Sequence, residues 1–216
     1  MIDLGRLRDV SWERLGDVIA EPGAITDGPF GSNLKGDHYQ PDGVRVIRLG
    51  NIGVGEFIDA DRAYVTEVHF QSLSRHNAKA GDVVVAALGD GARPAGRACL
   101  VPDELTKAIV KADCFRIRPN ARLLGPYLMH FLNSPQVLEA VASSSRGATR
   151  PRMTLGILKS IEVPVPSAGD QREISTEIDE LLAEIAAMTK ALGVELEATS
   201  ALPSAVLHRV FVRAVV

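Results

Sequence analysis

Hydrophobic residues follow two different rhythms along this chain, and the change falls near Pro164 to Gly169. Before it, short apolar runs alternate with Gly, Pro and Asp. Val44-Arg45-Val46-Ile47-Arg48-Leu49, following the turn Pro41-Asp42-Gly43, reads as a strand. Ala63 to Thr66 reads as a second strand and Glu67 to Ser74 as a short helix. Val83 to Leu88 is a continuous apolar run after Gly81-Asp82, the pattern of a buried strand. Further strands are expected at 97–101 and 108–118, with a glycine-rich hairpin loop, Gly89 to Gly96, before the first. Pro126 to Leu132 and Pro135 to Ala142 read as helices, and residues 1–20 carry a looser helical pattern. Short strands mixed with helices predict an α+β head over residues 1–166.

Beyond the extended segment Ile161 to Pro166, where each proline keeps its predecessor out of the helical region, the rhythm becomes helical. Asp170 is a candidate N-cap, with Glu173 three residues on. Ile174, Ile178, Leu181, Ile185, Met188 and Leu192 are spaced 4, 3, 4, 3, 4, a seam of period 3.5. Charged residues flank it, so a helix partner is expected rather than a wide core face. A helix lying on its own domain is the other reading, because Leu182 and Val194 widen the stripe. Residues 167–216 are thus expected to form a helical spacer in an antiparallel coiled coil, with Pro203 breaking or kinking the helix. Over 170–198 such a helix would measure roughly 43 Å, more than the roughly 34 Å of one DNA turn.

Charge sharpens this division. The net charge is −3, which excludes a uniformly basic surface. Yet Thr106 to Lys159 holds nine Lys or Arg and two acids, whereas Ser160 onward holds four basic residues and nine acids. One part is suited to a polyanion and the other is not, unless the charges simply face solvent on different elements. Aromatic residues make up only 5%, which argues against a surface of stacked aromatics for single strands. Cys99 and Cys114 lie in apolar strand-like runs, as buried thiols do; a redox pair is the alternative. Asp3, Arg6, Arg8 and Asp9 interrupt any apolar leader, and no apolar run is long enough to span a bilayer. A cytoplasmic protein with no membrane association is expected.

Catalytic patterns are missing. No Asp/Glu-x-Lys triplet, Asn-Pro-Pro-Tyr-like segment or Gly-x-Ser-x-Gly elbow occurs. Gly89 to Gly96 lacks the Lys-Ser/Thr ending of a phosphate loop. The five histidines have no zinc-ligand spacing, so no metal is expected.

Several segments together resemble the Type I restriction-modification specificity subunits. Asp27-Gly28-Pro29-Phe30-Gly31-Ser32-Asn33-Leu34-Lys35, Tyr39 and Gly43 to Ile52 resemble the start of their target-recognition domain. Gly81 to Ala86 looks like its central strand. Arg146-Gly147-Ala148-Thr149, with Leu155 and Leu158, looks like its closing segment. Gln171-Arg172-Glu173-Ile174 looks like the opening of the spacer helix. The resemblance implies a DNA-recognition subunit, not itself an enzyme. It implies methyltransferase partners, through them a translocating restriction subunit, and S-adenosylmethionine on the methyltransferase rather than here. Such subunits usually carry two recognition domains and two spacers. This chain has one of each, so the expectation is a half-subunit that pairs with a second copy and reads a bipartite site on double-stranded DNA.

Expected phosphate contacts are Lys35, Arg93, Arg97, Arg146, Arg150 and Arg152, basic residues on glycine-rich or polar loops. Arg150 or Arg152 could instead read guanine, and Asn33 or Asn51 adenine, although both asparagines also suit turn capping. Gly28, Pro29, Phe30 and Gly31 are expected to set a turn and anchor it in the core. The expected dimer or partner seam is Ile174, Ile178, Leu181, Ile185, Met188 and Leu192. The alternatives are an interaction adaptor whose head never touches DNA, and a hydrolase or transferase with an unfamiliar site.

Overall fold

The computed structural model describes residues 10–89, 92–144 and 152–212, with side chains as far as Leu192. Two compact units emerge, Met1–Ser175 and Thr176–Val216.

The strands in chain order are β1 (Trp12–Arg14), β2 (Ile25–Asp27), β3 (Val44–Ile47), β4 (Tyr64–Val65), β5 (Asn77–Ala78), β6 (Val83–Ala86), β7 (Ala98–Leu100), β8 (Ala108–Val110), β9 (Cys114–Ile117) and β10 (Glu162–Pro164). The helices are α1 (Leu15–Val18), α2 (Glu67–Ser72), α3 (Gly125–Leu132), α4 (Pro135–Ser144), α5 (Leu155–Ser160) and α6 (Ala168–Val212). The architecture is α+β, as the sequence pattern predicts. One four-stranded sheet has the order β2-β9-β6-β7 and a second the order β4-β3-β8-β5, while β1 pairs with β10.

Side-chain alternation along the strands separates two apolar clusters. On β8, Ala108 and Val110 join Val84, Ala86, Cys99 and Cys114 of the first sheet, so one cluster is shared by both sheets. Ile109, on the opposite face of β8, joins Val44, Val46, Val65 and Phe70 beneath α2. The run Val83–Ala86 is buried at every position because β6 is covered on both faces. Both thiols are free and buried. Burial pushes the Cys99 thiol up to about 12 and raises Cys114 as well, so both stay protonated and inert at neutral pH.

Two expectations change here. The apolar stretch 108–118 is not one strand: Lys111 to Asp113 form a turn in which Asp113 takes φ +70. Only β8 and β9 separately can serve the two sheets. Pro203 does not end α6, which continues to Val212.

The open edge of β7 is closed by a side chain. The Asn133 amide accepts from the Ala98 N–H (2.9 Å) and donates to the Ala98 carbonyl (2.8 Å), as a paired strand would. The first two turns of α6 belong to the head. Gln171 is fully buried. Its Oε1 accepts from the Leu124 N–H (2.8 Å), and its Nε2 donates to the carbonyls of Arg122 (2.8 Å) and Pro166 (2.9 Å). Ile174 is buried too, so this first seam position packs in the head rather than on a partner.

Removing the Gln171 amide would strand one donor and two acceptors away from water. Gln171→Ala should therefore lower unfolding stability by about 2–4 kcal/mol, measured by urea titration of the full chain with an unchanged m-value.

Candidate nucleic-acid interface

The strand registers bring four loops to one edge. Parallel β3 and β8 end together, Ile47 beside Val110. Antiparallel pairing sets the end of β2 and the end of β6 beside the start of β9, with Asp27 opposite Phe115 and Ala86 opposite Cys114. The turn Lys111 to Asp113 joins β8 to β9 and so sits where both sheets meet. Its backbone is tied on every side. Lys111 N–H donates to Ile47 O (2.9 Å), Ala87 N–H to Asp113 O (2.8 Å), and Gly28 N–H to Cys114 O (3.1 Å). Gly28 lies so close to this turn that a Cβ would stand 2.1 Å from the Lys111 carbonyl carbon and oxygen, which leaves room only for glycine.

Cations line this edge. The Lys111 ammonium lies 5.4 Å from the Tyr39 ring centroid and the Arg48 guanidinium carbon 5.9 Å from it, so one ring holds two charges by cation–π attraction. Arg48 also pairs with Asp61 (2.5 Å). Arg93, on the β6–β7 loop, reaches the Gly50 carbonyl (3.5 Å). Arg152 bridges to Leu88 and pairs with Asp113 (2.7 Å). Lys35 is exposed on the loop between β2 and β3. That loop is fixed at its middle by His69, whose Nε2 donates to the Asn33 carbonyl (2.9 Å) and whose ring lies tilted against His38, centroids 4.2 Å apart. Exposed pairs such as Arg152–Asp113 contribute only about 0–1 kcal/mol, so a phosphate can replace the carboxylate at little cost.

The expected phosphate contacts divide accordingly. Arg93 and Arg152 stand on this edge, and Lys35 is exposed on the β2–β3 loop. Arg146 and Arg150 lie outside the described residues. Arg97 is a correction: it is fully buried. Its guanidinium donates to the carbonyls of Ile52 (2.7 Å), Leu88 (3.0 Å), Pro94 (2.8 Å) and Leu49 (3.2 Å), so it holds loops together and meets no DNA. Asn51 is likewise buried; it caps the turn, accepting from Arg48 N–H (2.9 Å) and donating to Ile58 O (3.0 Å) and Ala60 O (2.7 Å). Phe30 is a second correction, exposed rather than anchored in the core.

The basic stretch 106–159 also overstates the surface charge. Arg116 is buried and donates to the carbonyls of Asn77, Gly23 and Ala24 (2.9 Å each), and burial lowers its pKa to about 10. Arg118 binds both oxygens of Asp82 (3.0 and 2.8 Å), which raises its own pKa. Arg122 pairs with Glu13 (2.6 Å) and Lys107 with Glu67 (2.6 Å). Lys111 and Arg48 went unnoticed because both read as interior positions of strands. The tripeptide Lys111-Ala112-Asp113, the one polar break in an apolar stretch, is the signal that could have exposed the turn.

On α6 the later seam positions are open to solvent: Ile185 is 57% exposed, Met188 63% and Leu192 65%. Leu181 and Leu182 are exposed beside them, while Ile178 is half-buried. Among the described residues no cluster of His, Cys, Asp and Glu suits a metal ion, and no helix is long and apolar enough to cross a membrane.

The fold of the chain is one that known proteins share. Residues 76–198 match the Type I restriction modification DNA specificity domain, and the chain belongs to that family. It is 28% identical over 185 residues to the Type I restriction enzyme EcoBI specificity subunit of Escherichia coli, covering 84% of this chain and 37% of that protein. It is 27% identical over 153 residues to the StySPI specificity subunit of Salmonella potsdam, covering 69% and 32%. The chain therefore spans about a third of the length of these curated relatives. The solved HsdS subunit from Thermoanaerobacter tengcongensis shares the fold with a TM-score of 0.57 at 19% identity, over 85% of this chain and 40% of that one.

The contrast between Arg97 and Arg93 is testable. Arg97→Ala removes a buried donor shared by four carbonyls and should cost about 3–5 kcal/mol of stability. Arg93→Ala should change stability by less than about 1 kcal/mol, with both read from thermal or chemical melting.

Proposed function

We propose that this chain recognises double-stranded DNA with the edge carrying Arg48, Arg93, Lys111 and Arg152, together with Lys35 on the β2–β3 loop, and that it is a specificity component rather than an enzyme. The convergence of the β2–β3, β3–β4 and β6–β7 loops on the Lys111–Asp113 turn carries this reading. Loops held by backbone bonds keep cations in place for a phosphate track, and their tips are free to reach base edges. The family membership and the specificity subunits it resembles support the same reading. Chemistry on the DNA falls to methyltransferase subunits, which would hold S-adenosylmethionine, and to a restriction subunit where the system has one.

The exposed seam from Leu181 to Leu192 supports a helix partner, because leaving four large apolar residues in water forfeits the burial that would stabilise them. A second copy, antiparallel, buries the same stripe on both sides and sets two heads on inverted half-sites with a gap. The adaptor reading shares this seam but predicts no affinity for DNA.

Two measurements decide these points. Binding of the full chain to duplex DNA should fall steeply with salt, and Lys111→Ala should reduce the slope of log K against log salt by about 1 across all sequences. Affinity that ignores salt would favour the adaptor. Ile185→Asp combined with Met188→Asp should give a folded monomer in sedimentation where the wild type is a dimer. An unchanged oligomer would remove the seam from the interface.

A further inference from the structure

Phe30 is 51% exposed two residues after Gly28, which packs against the Lys111 backbone, although phenylalanine normally lies inside. The local backbone explains why the ring stays out. Gly28 is wedged against the Lys111 backbone and Pro29 is buried. Gly31 takes φ +61 and turns the chain, and the Asn33 N–H donates to the Phe30 carbonyl (3.4 Å). At the far end of the same loop Tyr39 lies beneath the Lys111 ammonium. Both ends of the loop are thus fixed to one cationic turn, and Phe30 is displayed between them.

We propose that Phe30 is a base-contacting residue: it takes the apolar part of a nucleotide while Lys35, Arg48 and Lys111 take the phosphates around it. The inference rests on the DNA-recognition reading above. Phosphates offer a benzyl ring nothing, and the apolar elements of a duplex are the face of a base at an opened step and the thymine methyl. The positive charge of the Lys111 turn, to which both loop ends are tied, favours a polyanion over an apolar protein surface as the occupant.

The test uses fluorescence anisotropy of the full chain with labelled duplexes of a few helical turns: alternating TA, an A-tract, and alternating TA with uracil in place of thymine. Phe30→Ala should weaken binding to alternating TA about tenfold with the salt slope and melting temperature unchanged, because no counterion is released at this residue. Phe30→Leu should recover part of the loss. If wild-type binding to the uracil duplex falls to the level of the alanine variant, the contact is the thymine methyl. If instead wild type prefers alternating TA to the A-tract, and the variant loses that preference, the contact is an opened step. Phe30→Ala binding every duplex as wild type does overturns the proposal, including where the variant fails to co-purify with methyltransferase and so marks a protein-docking residue. Wild-type protein without salt-dependent affinity for any duplex removes the DNA reading itself, a distinguishable failure.

Discussion

The turn Lys111 to Asp113 is the joint on which this molecule is built. It ends a strand of one sheet and begins a strand of the other, so the two sheets cannot shift without breaking it. Asp113 in a left-handed conformation costs roughly 1–2 kcal/mol, and the bonds from Ala87 N–H (2.8 Å) and Cys114 N–H to Lys111 O (3.1 Å) offset that cost. The same three residues place a cation over Tyr39 and a carboxylate beside Arg152. Architecture and surface charge therefore share one element. The loops around it start from strand ends, and buried side chains such as Arg97 and Asn51 hold them there.

Much of this was legible in the sequence, for reasons that differ from residue to residue. Val83–Ala86 announces a strand buried on both faces because no polar side chain interrupts it. The alternation at Val44 to Ile47 places that strand between two cores. The seam from Ile174 to Leu192 declares a helix because its spacing admits no other regular structure. What escaped was tertiary. An arginine on a glycine-rich loop looks like a phosphate ligand whether its guanidinium faces water or four carbonyls, and only the fold tells Arg93 from Arg97. Lys111 hid in an apolar stretch because a three-residue turn is shorter than the window that reveals a strand. Phe30 looked like a core anchor because residue type favours burial, while Gly28 and Pro29 had already filled the space beneath it.

The head and the helix are stabilised by different physics. The head uses buried side-chain amides to close exposed backbone, with Asn133 completing an edge strand and Gln171 completing the root of α6. The helix from Leu181 to Leu192 keeps its large apolar residues in water. The first is the economy of a finished domain, and the second is that of half an interface. Ile174, similar in sequence to the later seam residues, marks where one regime gives way to the other.

Arg97 welds the loops around Leu49 to Ile52 and Leu88 to Pro94 through main-chain oxygens alone. A joint of that kind is indifferent to which side chains the loops carry. Residues at the loop tips can therefore be exchanged by mutation without loosening the frame that presents them, which is the freedom a lineage needs in order to acquire new address labels on its genome while keeping the same scaffold.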